Sequence, residues 1–303
     1  MHKINSEIVS DAISNMVAKN KCDGVKSGFR TLDHLTNGFG RGQLIVLGAL
    51  TGMGKTTFAC SVIDNVCIKA KRSCVYFSPS SSKELVVQRL IRIHGDIQRK
   101  DKDMERISSS AAEVVDSPLW IDDSPAIYIN EIIQKCRAIR KDREIDLIVV
   151  DDLQFLSDKV EGEKGTITEQ ERIVGKLKIL AQELQSPILL LTKLNASVWN
   201  REDHVPVAAD LPIHAVLGSY VDVILLLHRQ YYFDKEDDRY SDDRYSAHIY
   251  IARSKNSDYC GTMIRFDPDI PKFLDWDCSD AEYELSKQER LYYKSGCFRP
   301  RYI

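Results

Sequence analysis

Residues 43–57 constrain the fold more strongly than any other stretch of the chain. They read QLIVLGALTGMGKTT, which is an apolar strand, a turn of small residues and a helix that starts at Lys55. Small residues let backbone N–H groups surround a phosphate chain, and the positive end of the helix adds to the attraction. The stretch therefore predicts a phosphate-binding loop of the G-x-x-x-x-G-K-[ST] type, with Ala49 in place of the first glycine.

The chemistry of such a loop assigns a role to each residue. Lys55 is expected to face the β- and γ-phosphates of a nucleotide, and the Thr56 hydroxyl is expected to bind Mg²⁺. A chance glycine turn between a strand and a helix is the alternative interpretation. The candidate nucleotide-binding residues are Ala49, Leu50, Thr51, Gly52, Met53, Gly54, Lys55, Thr56 and Thr57.

A second strand, which ends in acidic residues, argues against a chance turn. Residues 146–150 read DLIVV and are followed by Asp151 and Asp152. A buried strand that ends in an acid is the second half of a P-loop ATPase site, in which Asp151 would hold Mg²⁺ through water beside Thr56. An acid that merely ends a strand is the alternative, but the spacing from the loop favours the ATPase site. ATP and Mg²⁺ are the predicted cofactors.

Apolar runs and amphipathic helices alternate along the chain, which predicts an α/β fold with a mostly parallel central sheet covered on both faces. A nucleotide then binds at the carboxyl ends of the strands. Besides residues 43–47 and 146–150, the predicted strands are residues 74–77, 119–121, 187–194, 221–227, 250–253 and 263–266, and the predicted helices after Lys55 are 83–94, 102–115, 131–143 and 168–185.

The two ends of the chain differ in character from this core. Residues 4–19 place apolar side chains at helical spacing, and such a short helix must bury its stripe on its own domain or on a neighbouring subunit. The predicted organisation is a linker helix and linker over 1–26, an ATPase domain over 27–276 and a polar tail over 277–303. The acidic and aromatic residues 230–245 are expected to form a solvated hairpin tip rather than a partner site.

Charge and cysteine content exclude several classes of protein. The 42 basic and 45 acidic residues give a net charge of −3, so any contact with nucleic acid must come from a local basic surface or a pore. The 8 cysteines contain no C-x-x-C pair, which fits a reducing cytoplasm better than a disulfide framework or a zinc site. We expect neither a signal peptide nor a membrane-spanning segment.

The motifs together resemble the C-terminal, RecA-like motor domain of the hexameric replicative helicase DnaB, from about Gly28 to Phe273. The resemblance implies an ATP-driven helicase or translocase that acts on single-stranded DNA in replication, as a homo-oligomeric ring, and works with other replication proteins. It also implies that the linker helix docks on the adjacent subunit. The motifs that carry it are residues 27–33 (SGFRTLD), 49–57, 120–127 (WIDDSPAI), 151–156 (DDLQFL), 194–195 (LN) and 253–256 (RSKN).

The sequence departs from that family in four features. Ser80 replaces the glutamate that orients the attacking water, and Lys193 replaces a glutamine that senses the γ-phosphate. The family has a lysine and then an arginine that reach into the neighbour's site, whereas here the order is Arg253 and then Lys255, and lysine lacks the planar fork. Residues 212–215 (PIHA) replace the DNA-facing Arg-Glu-Ser-Gly.

These departures keep two main hypotheses open. The first is a helicase in which another acid serves as the base, with Asp152 favoured over Glu84. The second is a protein that binds ATP, hydrolyses it weakly or not at all, and uses it for assembly or regulation; a circadian- or recombinase-type RecA relative is a third. If DNA is bound, Lys159 and Lys164 in the loop after Asp151 are the expected contacts.

Overall fold

The computed structural model of the chain describes residues 24–125, 127–158, 166–233, 244–254 and 259–276. Nine strands within these ranges form one sheet, in the spatial order β3-β2-β4-β5-β1-β6-β7-β8-β9. The strands are β1 (Leu44–Ala49), β2 (Cys74–Phe77), β3 (Leu119–Asp122), β4 (Leu147–Val150), β5 (Ile188–Lys193), β6 (Val223–His228), β7 (Ser246–Arg253), β8 (Cys260–Asp267) and β9 (Lys272–Asp275).

Helices connect the parallel strands, as the alternating pattern predicted. Within the described ranges they are α1 (Arg30–Thr36), α2 (Lys55–Ile63), α3 (Lys83–His94), α4 (Met104–Val115), α5 (Ile129–Asp142), α6 (Ile167–Leu184) and α7 (Leu217–Tyr220). Helix α2 continues as a π-helix over Asp64–Lys69, and short 3₁₀ turns occupy Leu153–Phe155, Ala196–Asn200, Ala208–Asp210, His214–Val216 and Gln230–Tyr232.

The sheet has a parallel part and an antiparallel extension. The strands from β3 to β6 in the spatial order pair in parallel, while β6 to β9 pair antiparallel. The predicted mostly parallel α/β sheet is therefore confirmed. Strands β7 and β8 are longer than the sequence predicted, and β9 was missed. Strand β8 alternates buried and exposed residues, which gives a weaker signal than the continuous apolar runs of strands that are buried on both faces.

The apolar core lies against β1 and the helix that follows it. All six residues of β1 are buried. Phe58 of α2 stacks on Phe29 with ring centroids 5.0 Å apart, and it meets Phe273 of β9 edge to face at 5.9 Å. This packing fixes the start of α2, and hence Lys55, relative to the end of β1.

The residues before α1 are organised by one buried carboxylate. Asp33 accepts hydrogen bonds from the Ser27 backbone N–H and hydroxyl, both at 2.7 Å, and from the Gly28 N–H at 3.1 Å. Burial raises the pKa of Asp33 although these donors act in the opposite direction. Residues 27–33, which contributed to the family resemblance, therefore have a structural role in closing this turn.

Part of the predicted organisation lies outside the described residues. The helix predicted over 4–19 and the tail over 277–303 are among these. Val25, which was assigned to the linker, already pairs with Phe39 in an antiparallel bridge and contacts the domain. Over the ranges that the structure covers, no helix has the length and apolar character needed to cross a membrane.

Candidate functional site

The predicted phosphate-binding loop connects β1 to α2 at the carboxyl edge of the parallel sheet. The loop turns back where the Met53 N–H donates to the Leu50 carbonyl at 3.3 Å. Gly52 and Gly54 have φ angles of 87° and 103°, which side-chain-bearing residues rarely adopt. Thr56 and Thr57 are partly exposed at the start of α2. The positive φ angles at positions 52 and 54 mean that this turn needs glycine at both of them.

Lys55 lies inside this loop with little contact with solvent. Its side chain is 8% exposed, and its ammonium group donates to the carbonyl of Ala49 at 3.2 Å. Burial lowers the pKa of Lys55, while the carboxylates of Asp152 and Asp151 act to raise it. A buried cation that has two acids nearby and only a carbonyl as acceptor is suited to receive an anionic ligand.

Two aromatic side chains cover the loop, and sequence reasoning missed both. A Cβ atom placed on Gly52 would lie 2.7 Å from the Tyr232 hydroxyl, and one placed on Gly54 would lie 3.0 Å from the Phe273 ring. Tyr232 belongs to the segment that was expected to be a solvated tip. That expectation is wrong for residues 230–233, which are half-buried; residues 234–243 lie outside the described ranges.

Asp151 and Asp152 follow β4 and lie beside the loop. They are 2% and 4% exposed, and the peptide bond between them is cis. The hydroxyl of Tyr76 donates to Oδ2 of Asp151 at 2.9 Å. Burial, and then the neighbouring Asp151, raise the pKa of Asp152, whereas Lys55 lowers it. The structure thus brings the two predicted acids and the predicted lysine together in one buried group.

Gln154 links this acidic pair to the end of β5. With its amide nitrogen turned toward Asp152, the nitrogen lies 2.7 Å from Oδ1 of that residue. The amide oxygen then accepts from the Lys193 N–H at 3.1 Å and from the Thr192 hydroxyl at 2.9 Å. Gln154 was part of a recognised motif, but its bridging contacts depend on the spatial proximity of β4 and β5, which the motif alone does not show.

Ser80 and Lys193 both lie at the site, and Glu84 does not. The Ser80 hydroxyl donates to the backbone carbonyl of Asp151 at 3.4 Å. The ammonium group of Lys193 is 5.9 Å from the centre of the Phe155 ring. Glu84 is exposed in the first turn of α3, where its own backbone N–H and then the Ser82 hydroxyl lower its pKa.

Arg253 lies away from this group. It pairs with Ile224 near the beginning of β6, and its guanidinium donates to the carbonyls of Leu217 at 2.8 Å and Gly218 at 3.1 Å. Because β7 runs antiparallel to β6, Arg253 is near the sheet edge opposite the loop. Lys255, Lys159 and Lys164 lie outside the described residues.

The segment that replaces the DNA-facing loop packs onto the domain through Ile213, while His214 and Ala215 are exposed. Ile213 is fully buried, and the chain turns through a short 3₁₀ helix at His214–Val216. Leu211, just before it, approaches Gly48 of β1 so closely that a Cβ atom there would lie 2.7 Å from the leucine side chain. Residues 212–215 contain neither lysine nor arginine, as the sequence indicated.

The sequence model of the DnaB-like helicase C-terminal domain family matches residues 24–275 of this chain. The chain belongs to this family. The replicative DNA helicase DnaC of Bacillus subtilis is 28% identical over 264 residues, which cover 84% of this chain and 57% of that protein. The replicative DNA helicase DnaB of Leifsonia xyli is 30% identical over 284 residues, or 89% of this chain and 61% of that protein. The chain thus spans less than two thirds of the length of these relatives.

Two solved structures show the same fold. The ATPase domain of G40P superimposes with a TM-score of 0.82 at 24% identity and covers 91% of this chain and 100% of its own. A DnaB-like replicative helicase, studied with its interactions with primase, gives a TM-score of 0.80 at 24% identity and covers 91% of this chain and 68% of that one. The predicted RecA-like fold and the resemblance to the DnaB family are both confirmed.

Proposed function

We propose that this chain is an ATP-dependent DNA helicase or translocase of the DnaB type, which acts on single-stranded DNA in replication as a ring of six copies. The observation that carries the proposal is the buried group formed by Lys55, Asp151 and Asp152 at the end of β1 and β4. Membership of the family supports the helicase class. From its cysteine content the protein is expected in the cytoplasm. Other replication proteins are the expected partners, and a primase is one candidate because a DnaB-like replicative helicase interacts with primase.

The residues present fit a nucleotide with Mg²⁺. Gly52 and Gly54 adopt the positive φ angles that let the backbone close around a phosphate chain, and the buried ammonium group of Lys55 supplies the charge for the β- and γ-phosphates. Thr56 and Asp151 would hold Mg²⁺, which neutralises charge on the phosphates when it is bound. In this proposal Asp151 binds the metal through water.

Asp152 is the proposed proton acceptor for hydrolysis. Its pKa is raised by burial and by Asp151, and a carboxylate whose pKa lies closer to neutrality accepts a proton more effectively. The side chain of Gln154 contacts Asp152 and would limit its rotation, and the Lys55 ammonium group interacts with it electrostatically. Ser80 cannot take this role, because a serine hydroxyl is not a useful base at neutral pH.

The position of Arg253 favours an assembly in which sites form between copies. Near the sheet edge opposite its own P-loop, Arg253 is far from its own nucleotide and would act on the site of a neighbouring copy. In the same assembly, Lys159 and Lys164 from several copies would concentrate positive charge around single-stranded DNA in a pore. The linker helix over residues 4–19 would join adjacent copies.

A second candidate is an ATP-binding protein that hydrolyses weakly or not at all and serves in assembly or regulation. The contact of Ser80 favours this candidate. Serine replaces the family's glutamate, and its hydroxyl donates a hydrogen bond to the backbone carbonyl of Asp151. The buried Ile213 in the segment that replaces the DNA-facing loop favours it as well.

Strand separation distinguishes the two candidates. A forked DNA duplex with one fluorescently labelled strand is mixed with the protein, ATP and Mg²⁺, and release of the labelled strand is followed. A motor is expected to release the strand in wild type and not in Lys55→Ala. ATP binding by wild type without strand release would support the assembly or regulatory protein instead.

A further inference from the structure

We propose that Tyr76 is a positioning residue for Asp151, because its hydroxyl holds that carboxylate in the orientation that binds Mg²⁺. The inference rests on the proposed function, in which Asp151 is the Mg²⁺-binding acid. Tyr76 was predicted only as part of a strand, and nothing in its sequence context indicates a contact with an acid that follows 75 residues later.

The hydrogen bond between the two residues is fully enclosed. Tyr76 is one of the largest fully buried side chains of the described chain, and it lies on β2 opposite Val149 of β4. Its hydroxyl donates to Oδ2 of Asp151 at 2.9 Å. Burial raises the pKa of the Tyr76 phenol well above its usual value, and Cys60 and Asp151 add to the effect. A phenol keeps its proton at neutral pH even without this shift, so the hydroxyl remains a donor.

A third residue, on the helix after the P-loop, lies near this pair. Cys60 of α2 is fully buried and lies near Tyr76, and burial raises the pKa of its thiol to about 12. Cys60 follows Thr56 by four residues on α2, so both side chains lie on the same face of that helix. The hydrogen-bonded pair of Tyr76 and Asp151 thus lies close to the helix that carries the proposed Thr56 ligand.

The hydrogen bond from Tyr76 gives the two carboxylate oxygens of Asp151 different roles. Within the described ranges, Oδ2 of Asp151 accepts from Tyr76 and Oδ1 has no hydrogen-bond donor. Oδ1 is thereby available for a metal-bound water, while Oδ2 anchors the side chain. Hydrogen-bond partners of metal ligands act in this way generally, and their loss typically lowers metal affinity about 10- to 100-fold.

The test is a Mg²⁺ titration of nucleotide binding, with a fluorescent ATP analogue as the probe. Tyr76→Phe keeps the buried ring and removes only the hydroxyl. The half-saturating Mg²⁺ concentration is expected to rise about 10-fold or more in Tyr76→Phe. Affinity for the analogue in EDTA should stay within about twofold of wild type, because Lys55 and the loop hold the phosphates without Asp151. Tyr220→Phe, at an exposed tyrosine of α7, is the matched control.

Asp151→Asn separates the two ways in which the inference can fail. If Asp151→Asn loses the Mg²⁺ response and Tyr76→Phe titrates like wild type, Asp151 is the Mg²⁺-binding acid and Tyr76 only fills space, which overturns the inference alone. If wild type and Asp151→Asn respond equally to Mg²⁺, the proposed role of Asp151 fails, and the inference fails with it. Thermal unfolding of all four proteins verifies that each variant is folded.

Discussion

Replacing Asp152 by asparagine is expected to abolish ATP turnover while leaving ATP binding nearly intact. Asparagine has almost the same size and keeps an oxygen that can accept from the Gln154 side chain, which contacts Asp152 at 2.7 Å. The substitution therefore removes the proton acceptor and its charge but little packing. In the proposed site Lys55 and the loop would contact the phosphates independently of Asp152, so the Kd for ATP should change less than tenfold.

The size of the effect follows from the role of the residue. A general base contributes about 10²- to 10⁴-fold to the rate, which corresponds to roughly 3–5 kcal/mol of activation free energy at about 1.36 kcal/mol per tenfold. The pKa of Asp152 is raised, by burial first and by Asp151 second. A base acts only when it is deprotonated, so turnover should fall as the pH drops through this raised pKa, at a higher pH than an exposed aspartate would give.

The assay is steady-state phosphate release with single-stranded DNA present, measured over a pH series, together with ATP binding by calorimetry. Glu84→Gln is the matched control, because Glu84 is an exposed carboxylate that lies close to Ser80 in sequence. Glu84→Gln should behave as wild type. Turnover in Asp152→Asn within tenfold of wild type would refute the assignment. If a variant that combines Asp152→Asn with Glu84→Gln also turned over ATP at the wild-type rate, the base would have to come from a neighbouring subunit.

Four further outcomes are expected. Lys55→Ala should weaken ATP binding tenfold or more, or about 1.4 kcal/mol; equal affinity in a binding titration would contradict the P-loop assignment. Asp33→Ala should lower the free energy of unfolding by about 3 kcal/mol, because three donors lose their acceptor, whereas exposed Asp116→Ala should not; urea denaturation measures both. Deletion of residues 1–20 should shift the particle toward monomer in light scattering with ATP and Mg²⁺, and an unchanged mass would mean that the helix packs on its own domain. Binding of a labelled oligonucleotide should weaken steeply with salt, because the expected contacts of Lys159 and Lys164 would be to phosphates; no binding at low salt would remove the motor hypothesis.

The sequence was sufficient to predict the parallel part of the fold. Strands such as Cys74–Phe77 and helices such as Lys83–His94 begin and end where the pattern placed them. Strands buried on both faces are continuous apolar runs, and the connecting helices show clear periodicity. Strand β9 was missed, because Lys272 and Asp275 at its ends give it the composition of a loop.

The candidate site was predictable in the residues of its local motifs and not in those that reach it from other parts of the chain. Lys55 and Asp151 belong to local motifs in which the residue types follow from phosphate and metal chemistry. Tyr76, Tyr232 and Phe273 meet this site only through the sheet order and the antiparallel extension, and no local pattern encodes those contacts. Their spatial arrangement becomes visible only in the folded chain.

The prediction for residues 230–245 failed in part because it, too, depended on contacts that the local sequence does not encode. Its composition is that of a solvated tip, yet Phe233 stacks on His204 at 4.2 Å and lies 4.9 Å from the ring centre of Trp199. These partners come from the segment after β5. Strands β5 and β6 flank β1 and run parallel to it, so the segments that follow them lie at the same edge of the sheet. Composition alone could not reveal that neighbourhood.

The rate of ATP hydrolysis with and without single-stranded DNA tests the central claim most directly. The purified 303-residue chain, ATP and Mg²⁺ are mixed with and without an oligonucleotide, with Lys55→Ala as the inactive reference. A motor of the DnaB type predicts turnover that single-stranded DNA increases and that Lys55→Ala lacks. ATP binding by wild type with no turnover above Lys55→Ala, whether or not DNA is present, would contradict the motor and support an ATP-binding assembly protein.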